Sequence, residues 1–489
     1  MLSLPHSRSY ASRLLLYSQI GGLSKFLMAQ RKLIIDCDPG IDDVLALLLA
    51  LNTPTCSVAL ISLCFGNIGV TTSVRNVVAT FQVLESERQY RSQHNLPLLP
   101  YHLHNSPGDN STWPIIALGS TAPVSSRRTV GAEFFQGIDG LGGVHESAPQ
   151  FSPSETCILP FYDPKTLSAD QVITREQVIR DAKGYIPTPR QSWREILRIL
   201  REEPEDTVTI VAIAPLSNIA RAALEDPPTF SRVKEVVCMG GNIDIPGNMT
   251  PFAEFNFYAD VDAVAIVLAT TSRTPSSTLP PSSVAIATCF RGVGDDGEYN
   301  PVKFYLFPLD VTSRHRLRKQ WFVDRCAGWL DKTSITIPHP GESPLATWMT
   351  VWLGAAFKKM EDLITFEGGS RHCAADQADG VDGAYIEMHD PLTMYFAIVS
   401  DEERAASFNI AENMDIRMET IGQWSWGMCV LDRRGIAKRH PHEPRSARDD
   451  EGWLDDTKGN RVNLVVEGPG SQAFGIKLLD RVLGDLEAL

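Results

Sequence analysis

Four carboxylates lie close together near the start of the chain. The stretch Leu33–Asp43 has the sequence L-I-I-D-C-D-P-G-I-D-D, and its acids are Asp36, Asp38, Asp42 and Asp43. Like charges at this spacing repel one another unless a positive charge offsets them. The N-terminus of a helix stabilises an exposed carboxylate by under about 1 kcal/mol, which is too little for four acids. A divalent cation that prefers oxygen ligands, Ca²⁺ or Mg²⁺, would offset this charge. The alternative is a solvated acidic turn.

The elements around these acids predict where they lie. The apolar run Leu33-Ile34-Ile35 is typical of a buried strand, and Val44–Leu51 is typical of a buried helix. Pro39-Gly40 breaks the chain between them. The acids therefore follow the carboxyl end of a first strand and occupy the opening turn of the next helix. Ligands bind at that edge in open α/β sheets.

Strands and helices continue to alternate along the chain. Val58–Phe65 predicts a second strand, which leads to Asn67, and Thr71–Leu84 has the apolar spacing of a helix. Later apolar runs predict three more strands, at Thr207–Ala214, Val233–Met239 and Tyr305–Thr312. This alternation predicts an α/β protein with a Rossmann-like, open, mostly parallel sheet flanked by helices and an active site at the carboxyl ends of the strands.

Composition narrows the class of partner. The 489-residue chain has a formal net charge of −14, which argues against a nucleic-acid footprint and against binding to an anionic membrane surface. No apolar run approaches the roughly 18 residues needed to span a bilayer. The nine cysteines include no C-x-x-C pair, and several lie in apolar runs. They are expected to be reduced core residues of an intracellular protein.

The domain organisation is predicted from shifts in composition. Residues 1–30 form a leader, because Met1–Ile35 contains no Asp or Glu and is rich in Ser and basic residues. A mitochondrial transit peptide, a disordered leader and a chain that begins at Met28 all remain open, so the expected location is cytoplasmic with a mitochondrial alternative. Residues 31–489 are predicted to form a single domain, with loop insertions near 86–130, 149–190 and 270–300.

Seven short motifs occur in order along the chain. The first is D-C-D-P-G-I-D-D at Asp36–Asp43. The six that follow are F-G-N (Phe65–Asn67), A-P-L-S-N-I-A (Ala214–Ala220), M-G-G-N (Met239–Asn242), G-N-M-T-P-F-A-E-F-N (Gly247–Asn256), P-L-D-V-T (Pro308–Thr312) and H-D-P-L (His389–Leu392). With these motifs the chain resembles the inosine–uridine preferring nucleoside hydrolases, in their fungal-type form, and the resemblance covers the chain from about Lys32 onward.

The resemblance implies a site and a reaction. It implies a Ca²⁺ ion, a ribonucleoside substrate, hydrolysis of the N-glycosidic bond to free base and ribose in purine or pyrimidine salvage, and a homo-oligomer, either dimer or tetramer. The implied metal ligands are Asp36, Asp43, Asp390 and the main-chain oxygen of Ile213. The implied substrate-binding residues are Asp42, Asn67, Met239, Asn248, Glu254 and Asn256.

Two residues are expected to move protons. Asp38 aligns with the general base that acts on a metal-bound water, whose pKa the metal lowers. His389 aligns with the acid that protonates the departing base. The transition state of such a cleavage resembles an oxocarbenium ion, which carboxylates stabilise.

Two alternatives remain open on the sequence alone. Gln136 stands where relatives commonly have His, and a neutral amide cannot donate a proton as an imidazolium does. This departure, together with the insertions, leaves room for a non-catalytic nucleoside- or ribose-binding homologue. A haloacid-dehalogenase-like phosphatase also has D-x-D after its first strand, but here Pro39-Gly40 replaces the Thr or Val expected next.

Overall fold

The computed structural model describes residues 30–104, 112–124, 130–279, 300–326, 342–366, 384–443 and 448–484. The predicted leader, apart from its last residue, lies outside the described residues. The same is true of residues 105–111 and 125–129 in the first predicted insertion and of residues 280–299 in the third.

The described residues contain thirteen strands. In chain order they are β1 Arg31–Cys37, β2 Cys56–Leu63, β3 Ile115–Leu118, β4 Ile186–Thr188, β5 Val208–Ala212, β6 Glu235–Met239, β7 Phe304–Phe307, β8 Arg316–Arg318, β9 Tyr385–Glu387, β10 Asn409–Met414, β11 Ile416–Met418, β12 Cys429–Leu431 and β13 Val462–Glu467.

The α-helices of the described residues are numbered separately. They are α1 Ile41–Leu51, α2 Val70–Gln93, α3 Pro100–His104, α4 Glu133–Gln136, α5 Val144–Ser147, α6 Ala169–Asp181, α7 Ser192–Glu202, α8 Ser217–Glu225, α9 Pro227–Phe230, α10 Phe255–Ala259, α11 Val261–Ala269, α12 Leu309–Thr312, α13 Lys319–Cys326, α14 Pro344–Phe366, α15 His389–Ile398, α16 Asp401–Ser407 and α17 Ser471–Leu483.

One nine-stranded sheet forms the centre of the molecule. Its order is β10-β13-β7-β6-β5-β1-β2-β3-β4, and only β10 runs antiparallel to its neighbour. The order reverses at β1, which pairs with β2 on one side and with β5 on the other. A crevice forms at such a switch point beyond the carboxyl ends of the strands. The predicted α/β class with a mostly parallel sheet is therefore confirmed.

The alternation of side chains along the strands builds two apolar cores. Leu33, Ile35 and Cys37 belong to one core, whereas Ile34 belongs to the other. Successive strand residues point to opposite faces, so the two cores lie on the two faces of the sheet. Helices α1, α2, α14 and α15 contribute to the first core, and α7, α8 and α11 contribute to the second.

Two predictions about elements need revision. The strand predicted at Tyr305–Thr312 is wrong in its second half, because β7 ends at Phe307 and Leu309–Thr312 forms a helical turn. Pro308 is the reason, since proline has no N–H to continue the ladder and favours the residue before a helix or its first turn. The predicted insertions near 86–130 and 149–190 are more than loops. They supply β3 and β4, the last two strands on one side of the sheet.

Two sequence expectations concern cysteines and membranes. The seven cysteines within the described residues are buried and free of disulfides. Cys289 and Cys373 lie outside the described residues. In the part of the chain that the structure describes, no helix combines the length and the apolarity that crossing a bilayer requires.

Candidate active site

The acid turn, residues 36–43, joins β1 to α1 and takes its shape from its own hydrogen bonds. Asp43 lies in the first turn of α1, where its carboxylate accepts the main-chain N–H of Asp38 and of Gly40, each at 3.1 Å. These N–H groups precede the helix and would otherwise lack a partner. Asp43 therefore folds the turn back on itself and fixes the carboxylates relative to each other.

Asn67 connects the acid turn to the end of β2. Its main-chain N–H donates to Oδ2 of Asp38 at 2.5 Å, and its side-chain amide donates to Oδ2 of Asp43 at 3.0 Å. The preceding Gly66 permits this approach, because a Cβ there would lie 1.8 Å from Oδ2 of Asp38. The structure therefore brings the predicted residue Asn67 to the acid turn, as a donor to two of its acids.

Asp36 is held by neighbours on two other elements. Its Oδ1 accepts the hydroxyl of Ser62 at 2.5 Å and the amide of Asn218 at 2.8 Å. Ser62 lies in β2, and Asn218 lies in the first turn of α8, within the A-P-L-S-N-I-A motif. Burial raises the pKa of Asp36 to about 7, although both hydrogen bonds oppose this rise.

Asp390 joins the acid turn from the other end of the chain. One carboxylate oxygen from each of Asp42, Asp43 and Asp390 can be chosen so that all three lie within 4.8 Å of one another. Burial, and then the charges of its neighbours Asp42, Asp43 and Asp38, raise the pKa of Asp390 well above its ordinary value. Burial and the charge of Asp42 likewise raise the pKa of Asp43 to about 7.

These acids have the properties of a cation site. Oδ1 of Asp38 and Oδ2 of Asp36 are buried and have no hydrogen-bond partner among the described residues. No Lys or Arg within the described ranges forms an ion pair with the five acids of the site, Asp36, Asp38, Asp42, Asp43 and Asp390. Buried carboxylates of this kind need a compensating positive charge. An all-oxygen donor set suits a hard cation such as Ca²⁺.

The predicted substrate-binding residues of the later motifs form a second group. The amide of Asn256 lies 3.4 Å from the main-chain oxygen of Ile213 and 3.4 Å from Sδ of Met239. Ile213 directly follows β5, and its N–H donates to the main-chain oxygen of Asp36 at 2.8 Å. The group therefore lies at the carboxyl ends of β5 and β6, next to the acid turn.

The side chains of Glu254 and Asn248, which were predicted to bind substrate, are already hydrogen-bonded to main-chain N–H groups. Glu254 caps α10, and its carboxylate accepts the N–H groups of Gly241, Asn256 and Phe257 at 2.8–3.0 Å. Asn248 is exposed, and its side-chain oxygen accepts the N–H of Phe255 at 2.9 Å. In this structure both side chains shape the loop that carries them.

His389 has a defined protonation environment. Its Nδ1 lies 2.7 Å from the hydroxyl of Thr312. Its Nε2 lies 3.2 Å from the carboxylate of Glu387. Burial alone would lower the pKa of His389, but the hydrogen bond and charge of Glu387, followed by the charges of Asp42 and Glu254, outweigh it and raise the pKa above its ordinary value. The geometry therefore favours an imidazolium.

Sequence reasoning did not assign a role to several residues that hold the site. Ser62 and Asn218 hold Asp36, Thr312 and Glu387 hold His389, and Gln136 contacts Asp42. Asn218 and Thr312 belong to motifs that carried the resemblance, so their motifs offered a signal. Ser62 lies in a strand, and nothing local in the sequence marks it, whereas Glu387 ends β9 only two residues before the predicted acid His389.

A sequence model of the "inosine-uridine preferring nucleoside hydrolase" family matches residues 33–451. The chain is 29% identical to Uridine nucleosidase 1 of Arabidopsis thaliana over 249 residues, which cover 50% of this chain and 56% of the relative. It is 28% identical over 240 residues to the pyrimidine-specific ribonucleoside hydrolase RihB of Escherichia coli, covering 49% of this chain and 56% of the relative. These matches thus span about half the length of such relatives.

A longer sequence match and two likenesses to solved structures add to the comparison. An uncharacterised protein of Schizosaccharomyces pombe is 27% identical over 428 residues, which cover 86% of this chain and 96% of that protein. An inosine-guanosine nucleoside hydrolase superposes with a TM-score of 0.58 at 19% identity, over 94% of this chain and 99% of its own. A plant nucleoside hydrolase gives a TM-score of 0.55 at 18% identity, over 93% and 99%. Both structural likenesses concern the fold alone.

The family match covers the acid turn, the loops after β5 and β6, and His389-Asp390, which are the parts of the chain that converge at the carboxyl ends of the strands. The chain belongs to the inosine-uridine preferring nucleoside hydrolase family.

Proposed function

We propose that the chain is a Ca²⁺-dependent hydrolase that cleaves the N-glycosidic bond of ribonucleosides to free base and ribose, and that it serves purine or pyrimidine salvage. The observation that carries the proposal is the convergence of Asp42, Asp43 and Asp390 at the sheet edge, beside an unpartnered oxygen of Asp38. The names of the relatives, which include uridine nucleosidase and ribonucleoside hydrolase, support the substrate class.

The proposed ion is held by Asp43 and Asp390, together with the main-chain oxygen of Ile213. Two acids compete for the remaining carboxylate position, namely Asp36 through Oδ2 and Asp38 through Oδ1. When bound, the ion would act as a Lewis acid that lowers the pKa of water and orients the ribose hydroxyls.

Asp38 is the proposed general base. Its Oδ2 is anchored by the N–H of Asn67, and with Asp36 as the remaining ligand of the ion, the buried Oδ1 is free to accept a proton from the attacking water. Burial and the charge of Asp43 raise the pKa of Asp38, which makes the carboxylate more basic. A base whose pKa lies nearer the working pH accepts a proton more effectively.

Asp42 and Asn67 are the proposed contacts to the ribose, together with Met239, Asn248, Glu254 and Asn256. Several of these groups are carboxylates or amides with fixed orientations, held by the hydrogen bonds described above. Acceptors placed in advance stabilise positive charge as it develops on the sugar in the transition state.

His389 is the proposed acid toward the departing base. The Nε2–H that Glu387 accepts is the proton available for transfer, and Nδ1 stays bound to Thr312. The leaving nitrogen gains electrons as the glycosidic bond breaks, so a proton supplied at that moment lowers the barrier.

Release of ribose from a panel of ribonucleosides tests the proposal. Purified protein is incubated with uridine, inosine, cytidine, adenosine and guanosine, with Ca²⁺ or with a chelator, and the reducing sugar is measured. We expect release from at least one nucleoside, and loss of that activity in chelator. Calorimetric binding of a nucleoside without any turnover would instead indicate a binding protein, and release from none of them would overturn the proposal.

A further inference from the structure

A glycine-rich segment encloses the acid turn on one side. This segment, called here the covering loop, comprises residues 132–147 and includes the short helices α4 and α5. Five of its sixteen residues are exposed, among them Phe134 and Ile138, which are 75% and 90% exposed. Four of its residues are buried, and Gln136, only 6% of which is exposed, is the one among them with a polar side chain. A long polar side chain buried in an exposed loop needs polar partners.

Both polar atoms of the Gln136 side chain contact the first turn of α1. Oε1 accepts the main-chain N–H of Ile41 at 3.1 Å, and Nε2 donates to Oδ1 of Asp42 at 3.3 Å. The N–H of Ile41 is at the helix start, where the helix itself offers no acceptor. One primary amide therefore caps this helix and holds a carboxylate of the site.

The main chain of the acid turn and that of the covering loop both allow this contact. A Cβ at Gly40 would lie 3.0 Å from Cδ of Gln136 and 2.9 Å from the amide nitrogen of Asn67. The covering loop orients Gln136 through its main chain, since its N–H donates to Ala132 and its oxygen accepts the N–H of Gly142, each at 2.9 Å. Gly40 thus lets two side-chain amides approach the turn at once.

A second attachment keeps the covering loop close to the acid turn. The amide of Asn76, in α2, donates to the main-chain oxygens of Pro39 at 2.8 Å and Asp139 at 2.7 Å. The Asp139 carboxylate in turn accepts the N–H groups of Leu141, Gly143 and His145 at 2.8–3.0 Å. The loop is therefore anchored independently of Gln136, so shortening Gln136 changes the hold on Asp42 without releasing the loop.

We propose that Gln136 is a positioning residue that fixes the Asp42 carboxylate for the ribose of the substrate. This proposal rests on the proposed function. The two contacts need a neutral side chain that accepts from Ile41 and donates to Asp42, as the amide of Gln136 does. A carboxylate at this position would keep the first contact, lose the second and add a negative charge beside Asp42. Gln136 acts through Asp42 and does not itself transfer a proton.

Three variants separate positioning from space filling. Gln136→Met keeps the length of the side chain and removes both hydrogen bonds. Gln136→Glu keeps the acceptor and adds repulsion. Gln82→Ala is the control, because Gln82 is an exposed glutamine on α2 with no side-chain contact to the site. Thermal unfolding of each variant reports whether the fold survives.

The decisive measurement is the discrimination between a ribonucleoside and its 2′-deoxy and 3′-deoxy analogues. We expect Gln136→Met to raise KM for the ribonucleoside about tenfold with a smaller change in kcat. This corresponds to losing the binding free energy of about one hydrogen bond. We also expect the preference over at least one deoxy analogue to shrink by a similar factor, because that analogue never uses Asp42. Gln136→Glu should lose more than Gln136→Met, and Gln82→Ala should match the wild type.

A double variant provides an independent test. In an Asp42→Asn background, Gln136→Met should change kcat/KM far less than it does in the wild type, because the two residues act as one unit. Equal losses toward ribo- and deoxynucleosides, or additive losses in the double variant, would overturn the inference. A wild type that releases ribose from no nucleoside would overturn the proposed function instead, so the two failures are distinguishable.

Discussion

The acid turn and the segments that enclose it are built in opposite ways. The turn makes its own shape through contacts between near neighbours, such as those from Asp38 and Gly40 to Asp43. The enclosing groups, Asn67, Gln136 and Asp390, come from distant parts of the chain. The difference teaches that local sequence can specify the arrangement of four acids. Only the folded sheet brings to them the hydrogen-bond donors and the further carboxylate that complete a site.

The largest effect is expected within the turn, at Asp38. Asp38→Asn preserves the shape of the side chain and its bond from Asn67 but removes the proposed base. We expect kcat to fall by about 10²- to 10⁴-fold, the usual contribution of a positioned general base. Initial rates of ribose release measure this effect, and Asp170→Asn, at an exposed helix position, serves as the matched control.

The same substitution at Asp36 sharpens the assignment of the metal ligands. If Asp38 rather than Asp36 contacts the ion, Asp38→Asn will weaken Ca²⁺ binding more than Asp36→Asn does. Isothermal titration of each variant with Ca²⁺ measures this. Stronger loss at Asp36 would restore the set of ligands predicted from the sequence, and a wild-type rate in Asp38→Asn would refute Asp38 as the base.

Metal removal tests whether the hydrogen bonds from Asn67 and Gln136 are enough to stabilise the buried acids without a cation. Because the pKa values of Asp36 and Asp43 are raised to about 7, burial of their charges costs stability in the absence of a cation. We expect Ca²⁺ at about 100 times its Kd to stabilise the fold by about 2.7 kcal/mol, measured as a rise in the unfolding midpoint. The Asp390→Asn chain should show a smaller rise. An unfolding midpoint that ignores both Ca²⁺ and chelator would contradict a cation site.

Much of the turn could be predicted because its determinants are local. Apolar residues before it, Pro39-Gly40 within it and an apolar helix after it specify strand, break and helix in one short stretch, and the structure has β1, a turn and α1 there. The same local logic failed at Tyr305–Thr312, where apolar content predicted one strand although Pro308 ends it.

The contacts of the enclosing groups could not be predicted from local sequence. Nothing near Gln136 in the sequence shows that its amide reaches Ile41 and Asp42, since that contact exists only after the sheet brings β3 beside β2. Ser62 is similar, because it contacts Asp36 on the neighbouring strand β1, whereas Glu387 lies only two residues before His389 in the sequence. A resemblance between motifs located His389 and Asp390, but only the structure showed which groups hold them.

Glu387 is the main influence that raises the pKa of His389. Its hydrogen bond and charge, with the charges of Asp42 and Glu254, outweigh burial, so the acid is protonated below that pKa and is lost as the pH rises through it. Glu387→Gln removes the charge, and we expect the alkaline fall of kcat to move to lower pH. At a pH between the alkaline limbs of the wild type and the variant, the rate of the variant should drop by about tenfold for each pH unit by which its limb has moved. Unchanged pH–rate profiles would refute His389 as the acid.

The smallest predicted effect concerns the fit between the turn and its enclosure. Gly40 and Gly69 both precede helices, α1 and α2, with negative φ angles of −90° and −69°. A Cβ at Gly40 would meet the amides of Asn67 and Gln136 at 2.9–3.0 Å, whereas a Cβ at Gly69 would meet nothing within 4 Å. The pair therefore separates the cost of crowding from the ordinary cost of alanine at a helix N-cap.

We expect Gly40→Ala to destabilise the fold by about 1 kcal/mol more than Gly69→Ala does, at the lower end of the usual range for crowding because the ends of side chains can move aside. Denaturant unfolding of both variants measures the difference. Since the displaced groups are the amides that hold Asp42 and Asp43, Gly40→Ala should also raise KM, and Gly69→Ala should not. Equal stability and equal KM in the two variants would contradict this prediction. They would mean that the amides of Asn67 and Gln136 move aside for a methyl group at no cost in free energy, and so are not held against the acid turn.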